Sequence, residues 1–236
     1  MAVAAADACV ISVIVPALNE ADGIEDMLQA LQDMRVRGIE IIVADGGSSD
    51  NTVAICAPLA DRVIIADTGR ARQMQAGAAL ARGSVLWFLH ADSRAPRDAD
   101  LSIATALASG NRHWGRFDVR FPHAGLLLEV VATLMSLRSR LTGIATGDQG
   151  IFVTRELFEH VNGYPLIPLM EDIALSRRLK RHSRPACLHE KLITSARRWQ
   201  VQGTLRTILV MWSLRLAYFL GASPAWLAQF YRPHRA

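Results

Sequence analysis

Four short runs rich in β-branched residues, each ending in a polar turn and each followed by a stretch of helical periodicity, constrain this chain more than any other feature. VISVIVP (10–16), IEIIVA from Ile39, RVIIA from Arg62 and SVLWFL from Ser84 read as strands. They are too uniformly apolar to leave a face in water, as expected of strands covered on both sides. Between the first two, Ile24, Met27, Leu28 and Leu31 recur at i, i+3, i+4 and i+7, with Asn19 placed to cap the helix. A helix over about 50–57 stops at Pro58, and one over 70–82 is closed by Gly83. Strands alternating with helices predict an α/β fold: a Rossmann-like, mostly parallel sheet with helices on both faces.

Past Pro96 the rhythm changes. A helix to about Ser109 precedes GRFDVRF from Gly115, whose alternation fits a half-exposed strand; an apolar helix follows over 125–140, then a short strand GIFVT from Gly150, and helices open at Arg155 and Met170. The tail from Gln202 reads as two helices broken over 221–224. The expected organisation is one catalytic domain over 1–200 and a C-terminal helical extension over 201–236, packed on the domain or lying at a membrane surface.

Composition removes several classes of function. Cys9, Cys56 and Cys187 lie far apart with no Cys-x-x-Cys pair, so neither a disulfide framework nor a thiolate zinc site is indicated. The formal charge of +4 suits a phosphate-bearing ligand or an anionic surface, but the basic residues are dispersed and only 6% of residues are aromatic, so no nucleic-acid partner is expected. The start of the chain lacks a basic leader. The apolar stretches from Gly125 and Thr207 are interrupted by Glu129 and Arg215 and fall short of the ~20 residues of a spanning helix. The expected location is cytoplasmic, with peripheral contact on the inner face of the membrane as a variant. In 204–220, Leu205, Ile208, Leu209 and Trp212 share a face that a lipid surface, the catalytic domain or a second copy in a homodimer would cover.

Ligands of open α/β sheets bind beyond the carboxyl ends of the strands. There the chain places Pro16-Ala17-Leu18-Asn19-Glu20, then Asp45-Gly46-Gly47-Ser48, then His90-Ala91-Asp92. The Asp45 turn suits close approach of a nucleotide, or equally a helix cap. Asp92 suits a divalent metal bridging a diphosphate, with His90 assisting or merely structural. Neither the dinucleotide fingerprint nor the ATPase phosphate loop occurs. Glu171 and Asp172 open a helix, where carboxylates serve either as a catalytic base or as partners of the helix dipole. Arg197, Arg198 and Trp199 combine guanidiniums with an aromatic ring.

Together these residues resemble glycosyltransferase family 2 over about 11–199, which implies the GT-A fold. ISVIVPALNEADGI and EIIVADGGSSDNT resemble its nucleotide-binding turns, implying that Pro16, Ala17, Asn19, Glu20, Asp45, Gly46 and Ser48 meet a uridine nucleotide. GRARQMQAGAALARG resembles the stretch in which Arg72, Gln73 and Gly77 line that pocket. WFLHADSR matches the Asp-x-Asp metal motif in Asp92 alone, with His90 in place of the first acid. LMEDIALSRRL implies Asp172 as the base beside Glu171, and SARRW carries Arg198 and Trp199 of the Gln-x-x-Arg-Trp motif, for the diphosphate. GRFDVRF, GDQGIFV and MEDIALSRRL look most like a small bacterial subgroup named for its association with radical-SAM and selenodomain proteins; there Gly147, Asp148 and Gln149 would face the acceptor or form a structural turn. The resemblance implies a UDP-sugar donor, Mn²⁺ or Mg²⁺ as cofactor, an inverting displacement and an acceptor that it does not name. A membrane-docked polyprenyl-phosphate sugar transferase, a nucleotidyltransferase and a non-catalytic nucleotide-sugar binder are the rivals.

Overall fold

A computed structural model describes residues 11–122, 125–196 and 203–231. Eight strands form one sheet: β1 (Ile11–Ala17), β2 (Glu40–Asp45), β3 (Arg62–Ile65), β4 (Val85–Phe88), β5 (Ser93–Arg94), β6 (Trp114–Arg120), β7 (Phe152–Thr154) and β8 (Ala186–Thr194), in the order β3-β2-β1-β4-β7-β6-β8-β5. The first four are parallel. β7 runs antiparallel to both β4 and β6, β8 is parallel to β6, and β5 is antiparallel to β8.

The parallel half is the part that the sequence dictates most directly. Successive residues of a strand point to opposite faces. On β1, Val13 and Val15 enter one core with Leu28, Ile41, Trp87 and Phe117, while Ile14 enters the other with Ile42, Met74, Phe88 and Leu175. Burial on both faces is why the run is apolar throughout. The covering helices include α1 (Ile24–Gln29), α2 (Gln32–Val36), α3 (Thr52–Cys56), α4 (Arg70–Leu80) and α5 (Ala99–Leu107). α4 comes so close to β1 that a Cβ on Gly77 would stand 2.5 Å from Ile14 Cγ2.

Further along come α6 (Leu126–Thr142), α7 (Arg155–His160), α8 (Glu171–Leu179), α9 (Thr204–Phe219) and α10 (Pro224–Phe230). α9 and α10 rest on the loop before α8: Leu214 and Leu227 are buried with Leu169 and Met170. No described helix is long and apolar enough to cross a membrane.

The structure departs from the sequence reading at several places. The first helix is broken into α1 and α2, and the strand from Gly115 is largely buried rather than half exposed, because α6 packs Leu128 and Ala132 against Val119. Asn19 does not cap the first helix; Gly23 holds that position, and Asn19 sits at φ 54° with its side-chain oxygen accepting from Ser49 N at 2.8 Å. β5 was not foreseen, being two residues long. Nor was β8, whose middle (His189, Glu190, Lys191) is exposed, so its composition carries no core signature.

Candidate functional site

The register that pairs Ala17 with Asp45 brings the first two polar turns side by side, and Gly46 N donates to Ala17 O at 2.8 Å. Asp45 is fully buried. Its carboxylate accepts from Gly47 N at 2.8 Å, from Ser48 N at 2.7 Å and from the Ser48 hydroxyl, so it holds the turn rigid. Ser48 Oγ in turn accepts from Asn19 N at 2.8 Å, and Glu20 N donates to Thr52 Oγ1 at 2.8 Å, stapling the two turns into one ledge. Asp45 thus closes its own turn and caps no helix, since α3 begins only at Thr52 with Asn51 in the cap position.

Two of the residues expected to line the nucleotide pocket stand behind that ledge. Gln73 is buried and donates through Nε2 to Ala17 O and Ala44 O at 2.7 and 2.8 Å, tying the ends of β1 and β2 to α4. Gly77 is a packing glycine, for the reason given above. Arg72 is exposed, while Pro16 and Ala17 end the buried β1.

A second group of residues gathers in a cleft next to this ledge. It is lined by His90 and Asp92 after β4, by Thr146, Gly147 and Asp148, by Glu171 and Asp172 at the start of α8, and by Arg70, Arg215 and Tyr231. Asp172 is fixed from two sides: Oδ2 accepts from Gly147 N at 2.8 Å and Oδ1 from Ile173 N at 2.7 Å. Each oxygen keeps a lone-pair direction for a further donor. Met170, just before the helix, is held in the left-handed region at φ 68°, a conformation that costs a non-glycine residue energy and tends to occur where function requires it.

Glu171 is buried beside Asp172, with Arg70 Nη1 at 3.8 Å. Burial first, and the charge of Asp172 second, push the Glu171 carboxyl above its ordinary range; Arg70 opposes them. Glu171 is thus disposed to hold a proton, while Asp172 beside it is anchored in place by two N–H groups.

His90 packs against Gly147, and its Nδ1 lies 3.4 Å from Asp148 Oδ1. It is therefore turned toward a neighbouring loop rather than standing as a free ligand beside Asp92, which is exposed. Among the described residues no three His, Cys, Asp or Glu side chains gather to hold a metal ion. Gln149, expected on the acceptor side, is fully buried and closes the turn by accepting from Thr146 N at 3.1 Å, so Asp148 alone of that pair faces the cleft. Arg198 and Trp199 lie outside the described residues. Gly147, expected with Asp148 on the acceptor side, does line the cleft, whereas Arg70, Thr146, Arg215 and Tyr231 were not foreseen there. Arg215 had registered as a charge interrupting an apolar helix and, with Arg206, as a contact for anionic headgroups.

A mostly parallel sheet flanked by helices, with polar turns at the carboxyl ends of its strands, is the architecture of the GT-A fold. Residues 12–130, half of the chain, match the profile of glycosyl transferase family 2, and the chain belongs to that family. Two uncharacterized glycosyltransferases of Mycobacterium tuberculosis, from strains CDC 1551 and ATCC 25618, are each 42% identical over 89 residues. Those matches cover 36% of this chain and only 34% of each relative. Among solved structures, S. aureus TarS 1–349 superposes with a TM-score of 0.64 at 17% identity, over 79% of this chain and 60% of that one. Glucosyl-3-phosphoglycerate synthase from M. tuberculosis, in complex with Mn²⁺, UDP and phosphoglyceric acid, superposes at 0.56 and 22% identity, over 77% and 68%.

Proposed function

We propose that the chain transfers a sugar from a UDP-sugar to an acceptor hydroxyl in a single inverting displacement, with Asp172 as the base. The observation that carries this reading is the placement of Asp172, aligned by Gly147 N and Ile173 N, in the same cleft as Asp92. Further support comes from TarS and the synthase, whose structures were solved with UDP-GlcNAc and with UDP respectively. In the proposed step Asp172 accepts the hydroxyl proton. The oxygen bonds to the anomeric carbon as the bond from that carbon to the diphosphate oxygen breaks, and UDP leaves with the electron pair. The rigid ledge of Asn19, Asp45 and Ser48 would receive the uridine without reorganising, which lowers the cost of binding.

A single exposed carboxylate suits Mn²⁺ or Mg²⁺, which bind through one or two carboxylates plus substrate phosphates and need no closed protein cage. Asp92 would hold the ion, which when bound supplies positive charge at the diphosphate. His90, engaged with Asp148, instead positions the Gly147 loop. Arg198 and Trp199 keep the diphosphate roles that the resemblance gives them. The reading keeps the radical-SAM-associated subgroup, a cytoplasmic setting and a peripheral lipid or homodimer contact through the outward faces of α6 and α9 as parts of the same proposal.

Calorimetric titration with UDP, with and without Mn²⁺, tests the donor. Expected is metal-enhanced binding that weakens in Asp92→Ala and is lost in Asp45→Ala. No UDP binding by the folded protein under any condition would overturn it. With a turning-over acceptor in hand, Asp172→Asn is expected to lower kcat by about 10²- to 10⁴-fold at unchanged UDP affinity.

A further inference from the structure

Arg138 on α6 and Arg215 on α9 carry unexplained buried charge among the described residues. Nε and Nη2 of Arg138 and Nε of Arg215 are buried without a hydrogen-bond partner among the described residues. Other guanidiniums that enter the protein are used: Arg155 donates to the carbonyls of Ala81 and Gly83, and Arg140 donates to Asp118 at 2.6 Å and to Cys187 O at 3.0 Å. A buried donor left unmade costs free energy, and a buried charge more so. Two such cations near one another compound that cost. Burial first, and the charge of Arg215 second, bring Arg138 down to about 10, with Asp172 opposing. At about 10 the Arg138 guanidinium stays charged at neutral pH.

We propose that Arg138 and Arg215 form an anion-recognition subsite on the acceptor side of the cleft, so that the acceptor is a molecule carrying a phosphate group. The proposal rests on Asp172 being the base. Arg215 lines the cleft together with Asp172, Asp92, Thr207 and Met211, and the ledge proposed for the uridine, built from the ends of β1 and β2, contributes nothing to that lining. A guanidinium presents planar, paired donors that match phosphate oxygens, and two of them balance a dianion. Holding the phosphate there would bring a hydroxyl of the same molecule to Asp172. The phosphate belongs either to a soluble compound or to a lipid headgroup. The second source is compatible with the apolar side chains that α6 and α9 turn outward, among them Leu134, Leu137, Leu209 and Trp212.

The test is calorimetric and thermal titration of the full chain with inorganic phosphate and glycerol 3-phosphate, alone and at saturating UDP. Wild type is expected to bind phosphate equally well with UDP present. Arg138→Gln and Arg215→Gln should each weaken phosphate binding at least ten-fold while leaving UDP affinity within two-fold. Without ligand, both variants should melt no lower than wild type, because an uncompensated charge has been removed; added phosphate should raise the melting temperature of wild type only. Arg138→Lys, which keeps the charge, should retain part of the affinity. Sedimentation with phosphatidic acid vesicles and with phosphatidylcholine vesicles separates the sources. Arginine-dependent binding to the former alone, with weak free-phosphate binding, assigns the lipid; the reverse assigns a soluble acceptor. Phosphate binding that is absent, that survives both substitutions, or that competes with UDP in step with lost UDP affinity would overturn the subsite. Failure of UDP to bind while arginine-dependent phosphate binding persists would sink the donor reading and leave the subsite standing.

Discussion

Gly147 separates His90 from Asp172: its N–H anchors the proposed base, and a Cβ on it would stand 2.5 Å from His90 Cε1. Gly147→Ala must therefore push the imidazole away from Asp148 or drag the loop off Asp172. Because misplacement of about 1 Å can cost 10²-fold in rate, turnover should fall by about that factor while UDP affinity, set mainly on the ledge of Asn19, Asp45 and Ser48, holds. Parallel loss of UDP binding would mean that ledge and cleft are one unit. Glu171 makes a second prediction. A carboxyl whose folded pKa is raised holds more protons in the folded than in the unfolded state between the two values, so wild-type stability declines as pH rises through that window. The window opens at the ordinary glutamate value of 4.5 and extends upward. Glu171→Gln removes the titration, so its melting temperature relative to wild type should climb with pH across that range. A difference that is flat with pH would mean Glu171 titrates normally.

At the scale of elements, β1, β2 and β4 were legible because burial on both faces demands unbroken apolar runs. The polar turns behind them were legible because nothing in the packing of a strand calls for Asp or Asn at its end. β8 was not, since it pairs through its backbone while turning His189, Glu190 and Lys191 to water. The roles of Gln73, Gly77 and Gln149 were not legible either: a residue that supports a site from behind has the same spacing as one that lines it. Arg138 and Arg215 look like ordinary surface arginines on their helices until the fold buries nitrogens of both and sets Arg215 in the cleft with Asp172. The β6/β8 junction also explains a glycine. A Cβ on Gly115 would run into Ala186 O, a backbone atom that cannot swing aside, and would stand 2.8 Å from Phe152 Cε2. Gly115→Ala is predicted to cost about 1–3 kcal/mol, as overpacked cores do. At this chain length the melting temperature should drop by about 2–4 °C per kcal/mol. An unchanged melting temperature would contradict the pairing of β6 with β8.

On the scale of the whole molecule, the two large cores on either face of the sheet differ from the small cluster that α9 and α10 make with Leu169 and Met170. α9 is two-sided in an uncommon way: Thr207 and Leu214 face the protein, while Leu205, Leu209, Trp212 and Leu216 are each more than half exposed. Such a helix has few contacts to hold it, so it should open at lower free energy than the sheet. Leu227 is its fully buried anchor. Truncating a buried leucine costs about 2–5 kcal/mol, but that cost reaches global stability only if the element unfolds with the rest. Leu227→Ala is therefore expected to speed amide hydrogen exchange across 203–231 and 169–173, to leave exchange in β1, β2 and β4 unchanged, and to lower the main melting transition little. Turnover should fall nonetheless, because Met170, held at φ 68° under this cluster, would lose the packing that keeps Asp172 pointed into the cleft. A uniform rise in exchange across the sheet would show instead that the C-terminal helices fold as one cooperative unit with the catalytic domain.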